Sequence, residues 1–139
     1  MNISDKIFVL FAMLFCHIVD DYYLQGIFAQ MKQKRWWENK RLWENNCDNG
    51  MYRNDYKMAL AEHAFSWAFM VSLPIVACYF ILSKTELLFL VAIFTMLNTA
   101  IHAYIDNQKA NKLKINLIQD QTIHFAQIVV TWVALIVFL

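Results

Sequence analysis

The sequence predicts an all-α protein built as a bundle of four transmembrane helices, and three observations carry that reading. Hydrophobic residues make up 60% of the 139-residue chain and charged residues only 17%, against roughly 45–50% and about 25% in soluble domains. Four apolar segments, at about 4–25, 58–82, 85–108 and 119–139, each approach the ~20 residues that a bilayer-spanning helix needs. Two stretches within them, 64–82 and 125–139, lack the polar stripe that a helix of a soluble bundle presents to water. A single integral membrane domain over 1–139 follows.

In the first segment, Ser4 before Asp5 reads as a helix N-cap. No small-x-small cleavage site follows the apolar run, so the segment is read as a retained helix and not as a cleaved signal. Next comes a polar loop, 26–57, which carries Trp36, Trp37, Trp43, Tyr52 and Tyr56 among its basic residues. That composition suits a short interfacial helix over about 27–45, lying in the headgroup layer, or alternatively a loop with a small aromatic cluster. The second segment contains Pro74, which a membrane helix tolerates because neighbouring groups can satisfy the freed carbonyl. Only Ser83 and Lys84 separate the second and third segments, which predicts a tight antiparallel hairpin, with Thr85 before Glu86 as the next N-cap. Cys16, Cys47 and Cys78 are odd in number and lack C-x-x-C spacing, so neither a disulfide framework nor a cysteine zinc site is indicated, and packing is their expected role.

With four spans, both termini and the turn at 83–84 share one side of the membrane, and the connections 26–57 and 109–118 share the other. The termini side holds Lys6 and Lys84. The remaining ten of the twelve basic residues lie on the loop side. By the positive-inside rule the loops, 26–57 among them, are cytoplasmic and both termini are outside, in a multi-pass protein of the inner (cytoplasmic) membrane. The net charge of +1 singles out no partner. The partners expected are the lipid bilayer and an amphiphilic small molecule, with no nucleic acid.

All four histidines lie within four residues of a carboxylate, inside these apolar segments. His17 goes with Asp20 and Asp21, His63 with Glu62, His102 with Asp106, and His124 with Asp120. A charged side chain at the centre of a membrane helix costs about 2.5–3.5 kcal/mol on insertion scales, so such residues mark function. Three pairs are spaced i,i+4 and project from one face of their helix, and every pair falls toward the cytoplasmic end of its span. Glu62 and His63 are neighbours and cannot both face inward; His63 is expected to. Asn98 and Gln127 extend the third and fourth faces one turn deeper. Imidazole and carboxylate on facing helices, without thiolate, suit a divalent ion such as Zn, Fe or Mn. The candidate metal ligands are His17, Asp20, Asp21, His63, His102, Asp106, Asp120 and His124, enough for one ion with orienting carboxylates or for two ions. Asp21 and Asp120 are the candidate general bases, and Lys109 offers a counter-charge. A hydrogen-bonded His–Asp network without a ligand, or a proton- or ion-coupled pathway, would use the same residue types.

The ordered motifs H-x-x-D-D-x-x-L-Q at 17–25, a His in the second span, H-x-x-x-D-x-x-K at 102–109 and D-Q-x-x-H at 120–124 carry a resemblance over nearly the whole chain. The chain resembles the family of small bacterial and phage polytopic membrane proteins grouped as a domain of unknown function. The resemblance implies that His17, Asp20, Asp21, Gln25, His63, His102, Asp106, Lys109, Asp120, Gln121 and His124 are signature positions. More distantly, the pattern is similar to membrane-bound metal-dependent hydrolases of bacteria. Three functions follow as expectations: a metal-dependent hydrolase of a lipid-like or phosphate-ester substrate, a metal-ion or proton-coupled transporter, and a non-catalytic membrane protein acting by contact with a partner through the Trp-rich loop.

Overall fold

The computed structural model describes residues 1–39 and 52–139. Its helices are α1 (Ile3–Ile18), α2 (Phe28–Met31), α3 (Lys34–Glu38), α4 (Tyr56–Ile81), α5 (Leu88–Ala110) and α6 (Leu117–Ile136), with no strand among the described residues. α1 continues into a π-helical stretch, Val19–Leu24, and a short 3-10 turn, Thr85–Leu87, leads into α5.

The caps differ from the expected ones. Asn2, not Ser4, caps α1: its side chain accepts from the Asp5 amide at 2.9 Å, and the Asp5 carboxylate accepts from the Asn2 amide at 3.4 Å. Asn116 and Gln119 form the same reciprocal pair at the start of α6, satisfying amides that have no partner within the helix. Thr85 caps nothing, because the chain enters α5 through the 3-10 turn and Lys84 makes no side-chain cap. The expected hairpin forms. Ser83, at φ +55°, takes the left-handed position usually given to glycine. Its amide donates to the Phe80 carbonyl and that of Lys84 to the Tyr79 carbonyl, closing α4. α4 runs through Pro74 without a break.

The four long helices form a closed ring in which α1 packs on α4 and α6, and α5 packs on the same two. The termini meet at one end: the Met1 ammonium donates to the Leu139 carbonyl at 3.0 Å and Lys6 Nζ to the Ile136 carbonyl at 3.3 Å. Lys84 reaches the Phe138 carbonyl there, so the turn at 83–84 lies at the same end. That half of the interior is mainly apolar, built from Val9, Met13, Val71, Ile75, Tyr79, Val91 and Leu135. The opposite half is polar. Among the described residues fifteen buried residues are hydrophobic and fifteen are polar or charged, while Phe8, Phe15, Phe80 and Met96 are each at least 60% exposed. Large apolar side chains outside and charged ones inside fit a bilayer as the surrounding solvent.

Among the described residues three helices are long and apolar enough to cross a membrane: Ile3–Leu24, Tyr56–Ile81 and Thr85–Ala110. The expected count was four. α6 has the length, at 20 residues, but Gln119, Asp120, Gln121, His124 and Gln127 crowd its first half and dilute its apolar character. The continuous interfacial helix expected over 27–45 is instead two short helices, α2 and α3, separated at Lys32 and Gln33. Its remaining residues, Trp43 included, lie outside the described residues, as does Cys47. Trp37 packs against Trp36 and stacks on Tyr52, at centroid distances of 4.8 and 6.4 Å. Cys16 and Cys78 are free thiols, each partly buried.

Candidate metal centre

The eight candidate residues all converge at the polar end of the bundle, and none is more than 7% exposed. His63 faces inward and is 1% exposed, whereas Glu62 on the next helical position is exposed. α5 contributes Asn98, His102 and Asp106 at four-residue spacing, one face of a helix. α6 contributes Asp120 and His124 in the same way, with Gln127 one turn further. The carboxylates of the first segment sit on the π-helical stretch, where the Gln25 amide bonds the Asp20 carbonyl at 3.0 Å across five residues. Such π turns recur at functional sites. Here the wider turn breaks the i,i+4 phase expected of His17 and Asp21. No direct bond joins that pair; Gln121 links them instead.

His63 Nε2 lies 3.5 Å from Asp21 Oδ1, 3.4 Å from Asp106 Oδ2 and 3.3 Å from His102 Nε2. On the other side of the same carboxylate, His124 Nε2 lies 3.4 Å from Asp106 Oδ1 and 3.5 Å from Asp120 Oδ1, and His102 Nε2 lies 3.8 Å from Asp106 Oδ1. Two overlapping sets of donors result, Asp21–His63–His102 and His102–Asp106–His124, each with one ligand atom per residue and all of these within 4.8 Å of one another. Metal–nitrogen and metal–oxygen bonds of about 2.0–2.1 Å place neighbouring corners of a tetrahedron about 3.3–3.4 Å apart. The observed separations are of that size.

Hydrogen-bond direction makes the same point independently. Gln127 Nε2 donates to the Asn98 carbonyl and to Asn98 Oδ1, both at 3.3 Å, which turns Gln127 Oε1 toward His124 Nδ1 at 3.0 Å. His124 therefore donates from Nδ1, and a neutral ring presents a lone pair at Nε2 to two carboxylate oxygens. His124 Nε2 and Asp120 Oδ1 are buried and have no hydrogen-bond partner. A buried lone pair facing buried carboxylates is costly unless a cation lies between them or the ring takes up a second proton there. With every imidazole neutral, the formal charges leave room for a cation. Asp20, Asp21, Asp106 and Asp120 stand against two ammonium groups, Lys32 on Asp106 Oδ2 and Lys109 on Asp120 Oδ2, each at 2.6 Å. Four carboxylates and two ammoniums leave a formal charge of −2, which one divalent ion or two protonated imidazoles would balance.

His17, expected among the ligands, has both ring nitrogens engaged by the protein. Trp67 Nε1, which can only donate, lies 2.7 Å from His17 Nδ1, so that atom accepts. His17 Nε2 then donates to Gln121 Oε1 at 3.0 Å, and the Gln121 amide donates to Asp21 Oδ2 at 3.0 Å and Asp120 Oδ2 at 3.1 Å. This chain, in which every donor is fixed, holds one oxygen of each aspartate and leaves the other turned toward His63 or His124. His17 therefore orients carboxylates and leaves no free lone pair for an ion. Asp20 accepts from Ser66 Oγ at 2.7 Å and belongs to neither donor set. Lys109, read as a counter-charge for Asp106, pairs with Asp120.

Sequence reasoning missed two participants. Lys32 was counted as a loop cation, yet its ammonium is buried against Asp106 from 74 residues away. Trp67 stacks on His102 at 4.2 Å, and His102 in turn stacks on His124 at 4.0 Å. Its position four residues after His63 places it on the inward face, a signal that was present in the sequence. Beside the centre, a cavity of about 400 Å³ lined by His17, Ile18, Tyr22, Tyr23, Gln121 and Phe125 opens between α1 and α6.

Comparison with protein families, curated proteins and solved structures finds no match to this chain. The fold and the centre define a helical protein with membrane-length apolar helices and a buried His/Asp cluster able to hold a metal ion.

Proposed function

We propose that this is a four-span membrane protein holding one divalent transition-metal ion between His102, Asp106 and His124, with Asp120 as a further donor, and that it hydrolyses a phosphate ester or similar bond in a lipid-like substrate. On this reading the chain belongs with the small bacterial and phage membrane proteins whose motifs it shares, with both termini outside and the centre near the cytoplasmic face. The observation that carries the metal is the placement of His124 Nε2, buried between Asp106 Oδ1 and Asp120 Oδ1 at 3.4 and 3.5 Å. A bound divalent ion lowers the pKa of its water toward neutrality. Asp21 is the general base, its Oδ2 held by Gln121 and its Oδ1 beside His63. The cavity at His17 and Gln121 gives an amphiphile a lateral approach, polar at its inner end and aromatic at Tyr22, Tyr23 and Phe125.

A transporter needs a polar path through the bundle. Polar pairs do continue past the centre, Asn98 with Thr131 at 2.8 Å and Ser72 with Thr95 at 3.0 Å. Beyond them Ile75, Tyr79, Val91 and Leu135 fill the interior, each under 5% exposed, which favours a centre open at one end only. Elemental analysis of detergent-purified protein tests the reading, with His102→Ala and His124→Ala as controls. About one equivalent of a transition metal in the wild type, lost in both variants, is the expected result. Less than a tenth of an equivalent in the wild type would leave a His–Asp packing network or a proton pathway as the better account. If the Trp-rich loop acts by partner contact instead, deletion of 30–52 abolishes activity while the histidine variants retain it.

A further inference from the structure

We infer that Lys32 is a tethered cation filling the second of two adjacent cation positions, so that the first loop decides whether the centre holds one divalent ion or two. The inference rests on the metal reading above and deepens it.

Asp106 is placed as a bridging carboxylate. Its Oδ1 faces His124 and its Oδ2 faces His63, each at 3.4 Å, so each oxygen meets an imidazole of a different donor set. The single Nε2 of His102 can serve only one of these sets. Around the Oδ2 side, His63 Nε2 stands between two carboxylates, 3.5 Å from Asp21 Oδ1 and 3.4 Å from Asp106 Oδ2. Two ions bridged by one carboxylate typically lie about 3.5–4 Å apart. The two positions nevertheless differ. Lys32 Nζ bonds Asp106 Oδ2 at 2.6 Å and its charge also bears on Asp21 and His63, whereas the ammonium of Lys109 is turned to Asp120 Oδ2.

Charge and tethering follow the same division. Without the Lys32 ammonium the formal charge of the cluster becomes −3, which two divalent ions and one bridging hydroxide neutralise. Lys32 projects from the link between α2 and α3. That link is fastened to the bundle through Asn111, whose Nδ2 donates to the Lys32 carbonyl at 3.1 Å and whose Oδ1 accepts from the Lys34 amide at 2.7 Å. Withdrawal of the loop removes an ammonium and frees Asp106 Oδ2 beside His63. A tethered cation of this kind sets the resting centre at one ion and couples entry of a second to loop position.

The test is metal stoichiometry in Mn2+-loaded, detergent-purified protein, with electron paramagnetic resonance to detect a coupled ion pair. Wild type and Lys32→Arg, which keeps the positive charge, should bind one ion and give an uncoupled spectrum. Lys32→Met, which keeps the aliphatic stem, should bind two and give a coupled spectrum. The double variant Lys32→Met/Asp21→Asn should return to one. A folded Lys32→Met protein that still binds one ion overturns the inference, as does a wild type that saturates at two. Lys32→Ser serves the same comparison if the methionine variant does not fold. No metal in the wild type overturns the metal reading itself, so the two failures are distinguishable.

Discussion

Replacing Asp106 by Asn keeps the size and most of the hydrogen-bonding capacity of the side chain but removes its charge. In a neutral hydrogen-bonded network such a swap would cost about 1 kcal/mol. Here the carboxylate is the partner of Lys32, whose side chain is 11% exposed in the ion pair. Stranding one member of a buried pair costs about 3–5 kcal/mol. The chain has a cheaper response, which is to let the loop go. The link carrying Lys32 is held to the bundle by the two Asn111 hydrogen bonds, and two such bonds are worth about 2 kcal/mol net. Loop release is the smaller cost, so it wins. The expected outcome of Asp106→Asn is a destabilisation of about 2 kcal/mol, expressed as opening of the first loop while the four long helices stay packed. Relative to the closed loop, the open one gains the roughly 3–5 kcal/mol of the stranded pair, so the open-to-closed ratio rises at least about 100-fold. Trypsin cleavage after Lys32, mapped by mass spectrometry in detergent, should accelerate by about that factor, and metal affinity should fall about tenfold or more. Unchanged cleavage after Lys32 together with an unchanged unfolding midpoint would refute the reasoning, since it would mean that Asp106 and Lys32 are not energetically coupled.

Three further outcomes are expected. Trp67→Phe removes the donor to His17 Nδ1 while keeping an aromatic ring beside His102; ion affinity should fall about three- to tenfold, and 15N NMR of the His17 ring should change from one tautomer to a mixture, an unaltered tautomer counting against the directed chain. Ser83→Gly relieves a left-handed residue at φ +55° and should stabilise the α4–α5 hairpin by about 1 kcal/mol in denaturant titration, whereas a loss of stability would show that the serine side chain contributes more than its backbone costs. Cysteines placed near Lys84 should react with a membrane-impermeant reagent added outside, and cysteines in 109–118 should not; the reverse pattern would invert the orientation.

Much of the centre is legible in the sequence because helical periodicity places residues without any knowledge of packing. His102 with Asp106 and Asp120 with His124 share a face at i,i+4 spacing, and an up-and-down topology brings the polar ends of α1, α4, α5 and α6 together. His63 and Glu62 could be separated because adjacent positions on a helix diverge and one of them must leave the cluster. What periodicity cannot supply is the partner from another helix, and that partner decides each role. His17 looks like a ligand by the same spacing rule that finds His102, yet Trp67, fifty residues away, fixes its tautomer and Gln121 takes its other nitrogen. Lys32 looks like one more loop cation supporting the positive-inside count until the fold buries it on Asp106. The fourth helix shows the limit most directly. Asp120, Gln121, His124 and Gln127 reveal the centre, and those same residues lower the apolar character by which a membrane span is recognised. Turned to the bundle interior, where Lys109, Asn98 and the His17 imidazole engage Asp120, Gln127 and Gln121, they impose less of the cost on insertion that their composition suggests. The polarity that keeps α6 from reading as a span is therefore what ties it to the centre.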